Sequence, residues 1–211
     1  MKIAVLGATG LVGRCLVDRA VAQGVAVRVL VRNPEKLDRE DVDVYVGDYF
    51  DPGSVEALVQ GVDAVLTTVG PPPGRHKELS PKKYETAMKA LVQAMEEAGV
   101  KRLIHLASGG TPTPGEKVGW GRRLFRCLLA PIAPLVIPSK EREVAALTQS
   151  DLNWTSIRPP LIAPGVKGNF RVSTEATQGF WVDVDQLAAF MLDAVEDETW
   201  FNTAPFVGTN K

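Results

Sequence analysis

Glycines at positions 7, 10 and 13 stand between an apolar β-branched run, Lys2 to Leu6, and an apolar helical pattern that opens at Gly10. Each position meets one need of a bound pyrophosphate. Gly7 permits a tight turn, Gly10 lets the backbone approach the phosphates, and Gly13 lets helix and strand pack closely. The turn at Thr9 and the first helical residues, Leu11 and Val12, then present unpaired N–H groups and the positive end of the helix dipole. A glycine triplet alone is a weak signal. Here strand, turn, helix and a second strand follow within about 30 residues, the context that strengthens it. The ligand expected is a nicotinamide dinucleotide.

The choice between the two dinucleotides falls at the end of the second strand, Val-Arg-Asn-Pro-Glu-Lys over 31–36. An acid there would accept from the ribose hydroxyls and repel a 2′-phosphate. Arg32 stands there instead, and its planar fork clamps a phosphate with two bonds. Lys36 adds a second cation and Arg14 a third, unless these are simply solvated surface charges. The pattern favours NADP(H) over NAD(H). After the third strand, Asp48 either accepts from an adenine amino group, with Tyr49 or Phe50 flanking the ring, or closes a turn. Asp51-Pro52 reads as a helix N-cap followed by proline in the first turn. No residue spacing suggests a metal site or a Ser/His/Asp arrangement.

These side chains need a scaffold, and the hydrophobic pattern describes one. Strands are expected over residues 2–6, 25–31, 42–46, 62–69, 100–107 and 151–157, with a last short strand over 204–207. Helices are expected over 10–23, 52–60, 81–98 (N-capped by Ser80) and 182–195. Strand–helix alternation implies right-handed βαβ units, and near-continuous apolar strands imply helices on both faces. Gly24, Gly61 and Gly99 each end a helix just before a strand. The reading is α/β: a single domain over 1–211, a doubly wound Rossmann-type parallel sheet with a small C-terminal substrate region. Regularity fails over 108–139, apart from a helical patch at 120–129, and again over 159–180. Both breaks follow strand C-termini, where open α/β sheets bind ligands, so both are read as substrate-site walls.

Composition narrows the class. Hydrophobic residues make up 45% and charged residues 23% of 211, an ordinary globular balance. The net charge of −1 supplies no overall basic field for nucleic acid or anionic lipid. Cys15 and Cys127 form no disulfide framework and read as inert core thiols, which fits a reducing, cytoplasmic setting. The first apolar run is too short for a secretory leader, and the longest, 124–137, too short and too interrupted for a transmembrane segment. In that stretch Leu124, Phe125, Leu128 and Leu129 form a stripe, with Arg122, Arg123 and Arg126 pointing elsewhere. It reads as a helix packed on the core, a lid, a surface for a protein partner or homodimer, or a membrane-touching patch.

The motifs Gly-Ala-Thr-Gly-x-x-Gly at 7–13, Val-Arg-Asn-Pro-Glu-Lys at 31–36 and Gly-Asp at 47–48 resemble the atypical short-chain dehydrogenase/reductase group. Within it the chain is most similar to the NmrA-like and flavin-reductase-like NAD(P)H-binding proteins. His-Leu-Ala-Ser at 105–108, Lys140 with Glu143, Trp-Thr-Ser-Ile-Arg-Pro-Pro-Leu at 154–161 and the final helix agree. The resemblance implies a nicotinamide passing Val69, Gly70 and Ser108 toward Pro159, Leu161 and Ile162.

The chain departs from that group where catalysis is concerned. The tyrosine with lysine four residues on, in which lysine readies the tyrosine to pass a proton, is absent after Tyr45, Tyr49 and Tyr84. Ser108 occupies the usual position of the catalytic serine, or else caps a loop. Lys140 holds a ribose or donates a proton, or else is a surface lysine near Glu141 and Glu143. His105, inside a strand, reads as a satisfied core histidine. Flavins and quinones need no protein acid to accept hydride. The expected function is NADPH-dependent reduction of a small flavin-, quinone- or similarly conjugated acceptor. The alternatives are a non-catalytic NADP(H) sensor or regulatory scaffold, and an epimerase or isomerase of a sugar or lignan-like substrate.

Overall fold

The computed structural model describes residues 1–37 and 39–210. Six parallel strands form the central sheet: β1 (Lys2–Leu6), β2 (Ala26–Val31), β3 (Asp43–Val46), β4 (Ala64–Thr67), β5 (Arg102–Leu106) and β6 (Asn153–Ile157), in the order β3-β2-β1-β4-β5-β6. This is the doubly wound order, and its direction reverses between β1 and β4. In register, Leu6 stands beside Leu30 on one side and Thr67 on the other. Strands β1, β4 and β5 are almost wholly buried, as strands covered on both faces should be. Strand β3 is the exception. It is an edge strand with Asp43, Val44 and Val46 exposed.

Helices α1 (Leu11–Ala22), α2 (Pro52–Val59), α3 (Pro81–Glu97), α4 (Trp120–Leu129), α5 (Val136–Leu147) and α6 (Val184–Asp193) complete the layers. Leu16 and Val17 of α1 meet Leu187 and Met191 of α6 in one core layer. On the opposite face Leu58 of α2, Met88 and Leu91 of α3 and Leu147 of α5 form the other. Ser80 caps α3, its Oγ accepting from Lys83 N at 3.3 Å. Asp51 caps α2, accepting from Ser54 N at 3.0 Å, with Pro52 next. Gly24, Gly61 and Gly99 take the left-handed conformation that ends each helix.

Several boundaries differ from the sequence reading. Helix α5 starts at Val136, inside the expected break, with Pro138 in its first turn, where no carbonyl awaits the missing N–H. The last helix starts at Val184 rather than 182, because Asp183 caps it through bonds from Asp185 N and Gln186 N. Residues 181–183 are instead a strand. Three short strands, β7 (Leu161–Ala163), β8 (Asn169–Ser173) and β9 (Trp181–Asp183), occupy the second break and its edge. β7 pairs with β9, and β8 with β10 (Phe206–Asn210). Cys127 is exposed, so the core-thiol reading fails for it, whereas Cys15 is half-buried and packs against the core. Cys127 is exposed because α4 buries no residue at all. No helix among the described residues is long and apolar enough to cross a membrane.

Candidate functional site

The turn after β1 is built as its glycines demand. Gly7 has φ +85°, and a Cβ on it would come within 2.6 Å of Thr68 Oγ1. A Cβ on Gly13 would overlap the Gly7 carbonyl oxygen, so α1 lies directly on the turn. Gly10 N donates to Gly7 O at 3.0 Å. Gly10 is also the N-cap of α1, with no side chain capping the helix and no acid in its first turn. The first amides of α1 are thus left for an anion. Leu11 is exposed and Val12 packs into the core, so these two residues offer backbone rather than side chain.

A cleft of about 420 Å³ opens from this turn along the C-terminal ends of β1, β2 and β4. Gly7, Thr9, Gly10, Arg32, Asp48, Tyr49, Val69 and Gly70 all line it, half of the cofactor-binding residues expected from sequence, whereas Lys36, Ser108, Lys140, Pro159 and Leu161 do not. Arg32 is exposed at the cleft and makes no ion pair among the described residues. Lys36 does not join it. It sits in a separate hollow with Arg14 and Asp18, where its carbonyl accepts from Arg14 Nη2 at 3.3 Å. The second cation of the cleft is Lys83, whose Nζ lies 4.5 Å from the centre of the Phe50 ring. Asp48 does close a turn, its Oδ1 accepting from Phe50 N at 3.0 Å, and still lines the cleft. Tyr49 enters from the core side and is buried. Phe50 and Tyr84 meet edge-on at 5.1 Å to complete an aromatic wall. Burial pushes the Tyr84 hydroxyl up to about 12. Thr68, Lys83 and Tyr84 escaped the sequence reading because they come from elements that only folding brings to the turn.

Beneath Val69 and Gly70 lies a buried polar cluster. Lys140 Nζ donates to Val69 O at 2.6 Å and pairs with Glu143 Oε2 at 2.9 Å. His105 Nε2 is 3.3 Å from that Nζ and 3.4 Å from Glu143 Oε2, while its Nδ1 lies 2.9 Å from Ser156 Oγ. Tyr49 OH donates to Glu143 Oε1 at 3.4 Å. Burial, then the Lys140 charge, push the His105 pKa down, so the ring is neutral. Burial pushes the Glu143 carboxyl up, but Lys140 and His105 outweigh it and hold the group below the usual range. Lys140 is therefore no surface lysine, and His105 is the satisfied core histidine expected. Ser108 is buried beyond β5, where its Oγ accepts from Gly110 N at 3.4 Å in the manner of a loop cap.

A second cleft, about 290 Å³ and mostly apolar, lies between α4 and the 177–180 segment. Gly109, Gly121, Arg122 and Phe125 line one side, and Pro160, Thr177, Gly179 and Phe180 the other. Both irregular segments read as substrate walls contribute to it. Pro159 is buried just behind, its carbonyl accepting from Gly109 N at 2.6 Å, and Leu161 N donates to Phe180 O at 3.1 Å. Arg122 is fixed within the wall, with Nε donating to Gly109 O at 3.1 Å and Nη1 paired to Glu116. Glu116 also pairs with buried Arg158 at 2.6 Å. Among the described residues no group of acids, histidines and cysteines gathers as a metal site.

A family model described as NAD(P)H-binding matches residues 7–198. The chain belongs to that family. The Rossmann-type fold agrees with that membership, and the chain superposes along its whole length on an oxidoreductase from Lactococcus lactis with a TM-score of 0.80 at 21% identity. Among curated relatives, the chain is 29% identical to a (4-alkanoyl-5-oxo-2,5-dihydrofuran-3-yl)methyl phosphate reductase of Streptomyces griseus, over 78% of this chain and 52% of that protein. The chain spans about half the length of the curated relatives it matches. Among solved structures it superposes on an anaerobillin reductase from Escherichia coli O157:H7 with a TM-score of 0.80 at 18% identity, covering 100% of this chain and 98% of that one. It also superposes on a Veillonella parvula short-chain dehydrogenase/reductase in complex with NADP, with a TM-score of 0.72 at 21% identity, covering 98% and 94%.

Proposed function

We propose that the chain is an NADP(H)-dependent oxidoreductase that reduces a flat conjugated acceptor, such as a flavin or quinone, in the apolar cleft beside α4. The observation that carries this reading is the placement of that cleft. It lies past the carboxyl ends of β5 and β6, on the same edge of the sheet where the dinucleotide cleft opens past β1, β2 and β4, and its walls are largely apolar. Residues 1–211 act as one nucleotide-binding domain in this reading.

The residues present fit a dinucleotide, since the Gly7 and Gly13 cradle leaves no room for side chains and the α1 amides lack a cap. Gly7, Thr9, Gly10 and the amides through Gly13 would hold the pyrophosphate. Arg32, without a carboxylate partner among the described residues, would clamp a 2′-phosphate, with Lys83 adding positive field. Asp48 would accept from the adenine amino group. When bound, the reduced nicotinamide supplies hydride. Lys140, held against Val69 by Glu143 and His105, would fix the segment after β4 that lines the dinucleotide cleft. Pro160, Phe125 and Phe180 orient the acceptor and exclude water. Protons reach the reduced acceptor from solvent, because no tyrosine–lysine pair stands in the chain.

One observation favours a non-catalytic NADP(H)-responsive scaffold instead. The Lys140 ammonium is already occupied by three partners. Steady-state NADPH oxidation with a panel of flavins and quinones separates the two readings. Turnover with one or more acceptors is expected. Tight NADPH binding with no turnover on any of them would overturn the reductase in favour of the scaffold.

A further inference from the structure

Helix α4 is mounted with its polar side down. Arg122 and Arg126 point into the protein, Arg126 Nη1 donating to Gly110 O at 2.9 Å and pairing with Glu141 at 2.5 Å. The apolar side faces out. Trp120, Leu124 and Leu128 are 83%, 53% and 64% exposed, and Ile132, in the turn just after the helix, is 64% exposed. Phe180, 82% exposed, extends the apolar face across the mouth of the second cleft. A contiguous apolar stripe of this kind marks an interaction surface.

The charge around the stripe says which kind. Residues 117–139 contain Lys117, Arg122, Arg123 and Arg126 and no acid, in a chain whose net charge is −1. Lys117 and Arg123 are exposed, and neither pairs with a carboxylate among the described residues. The loop carrying exposed Arg75 adjoins the far end of the stripe, with Gly74 N donating to Ile132 O at 2.9 Å. A two-fold contact between copies through α4 would set these cations against themselves. An anionic surface would complement them. A tryptophan- and leucine-bearing helix face flanked by arginine and lysine is the pattern of a helix that lies in the plane of a membrane interface. The near-zero net charge, read from sequence as excluding anionic lipid, averages this local field away.

We propose that α4 docks the protein onto an anionic lipid bilayer, with Trp120, Leu124, Leu128 and Ile132 sunk into the headgroup boundary and Lys117 and Arg123 over the lipid phosphates. The mouth of the second cleft, between Phe125 and Phe180, then opens at the bilayer. On the function proposed above, a lipophilic acceptor would enter from there, and only this corollary rests on that function.

Sedimentation of the full chain with vesicles tests the docking with no acceptor and no turnover. Binding is expected to phosphatidylcholine vesicles containing phosphatidylglycerol, to fall with added salt, and to be weak on pure phosphatidylcholine. Trp120 fluorescence is expected to move to the blue on binding, and the shift to vanish in Trp120→Phe. Leu124→Ser with Leu128→Ser should weaken binding at least about tenfold. Lys117→Gln and Arg123→Gln should each weaken it by about fivefold, on anionic vesicles only. All these side chains are exposed and lie outside both clefts, so NADPH affinity and melting temperature should hold in every variant. No sedimentation with either vesicle would overturn the proposal. So would a dimer in lipid-free ultracentrifugation that the two leucine substitutions dissolve.

Discussion

At the end of β2 a guanidinium faces the dinucleotide cleft with no carboxylate to neutralise it among the described residues, and the proposed preference for NADP(H) turns on that one group. Charge-assisted bonds of this kind contribute about 1.5–3 kcal/mol. Arg32→Ala is therefore expected to weaken NADPH binding by about 10- to 100-fold and to leave NADH within about twofold, as read by calorimetry. The buried cluster under Val69 makes a different demand. Removing the ammonium in Lys140→Met strands the Glu143 carboxylate and should cost about 3–5 kcal/mol in denaturant melts. Lys140→Met with Glu143→Leu should recover part of that, since no charge is left unpaired while the Tyr49 hydroxyl and the Val69 carbonyl lose a partner. The cluster also sets a pH response. The folded His105 titrates below its ordinary value of 6.5, so on acidification the unfolded chain takes the proton first. Its contribution is present above about pH 6.5 and is lost as pH falls below that. Glu143, held below 4.5 when folded, contributes above 4.5 and fails as pH falls through its folded value. Urea melts across this range should show stability falling from about pH 6.5 downward, and His105→Gln should flatten the upper part of that fall.

Among the elements, the short ones around the second cleft depend most on single side chains. Asp183 ends β9, caps α6 and accepts from Val166 N at 3.0 Å, so one carboxylate joins a strand, a helix and a loop. Asp183→Ala is expected to lower stability by about 1–2 kcal/mol and to speed amide exchange at 166 and at the start of α6. The six strands of the main sheet were legible in the sequence because each is a local apolar run, and the glycine turn because its glycines recur every third residue. Strands β7, β8 and β9 were not, because three to five residues acquire a strand pattern only through partners elsewhere, as Phe170 does opposite Thr209. The orientation of α4 was hidden for a related reason. Periodicity distinguishes its two faces, but Glu116 and Glu141, outside the helix, decide which one turns inward. At the site the same division holds. Gly7, Arg32 and Asp48 could be read in place, whereas Thr68, Lys83 and Tyr84 required the folded arrangement.

Across the whole molecule, the dinucleotide cleft draws on the first 84 residues and the apolar cleft on residues 109–180. Ligand binding to the former should stabilise the entire sheet, since β1, β2 and β4 all end there. Saturation at about 100 times Kd adds about 2.7 kcal/mol, so NADPH should raise the melting temperature more than NADH at equal concentration. Equal shifts would argue against the role given to Arg32. Strand β10 passes so close to the 177–180 segment that a Cβ on Gly208 would overlap the carbonyl of Gln178, between two residues that line the apolar cleft. A replacement there, far along the chain from the glycine turn, would push that wall aside while leaving the turn untouched. On the function proposed above, descent with modification could retune acceptor choice through this one position, generation by generation, without renegotiating the source of the electrons.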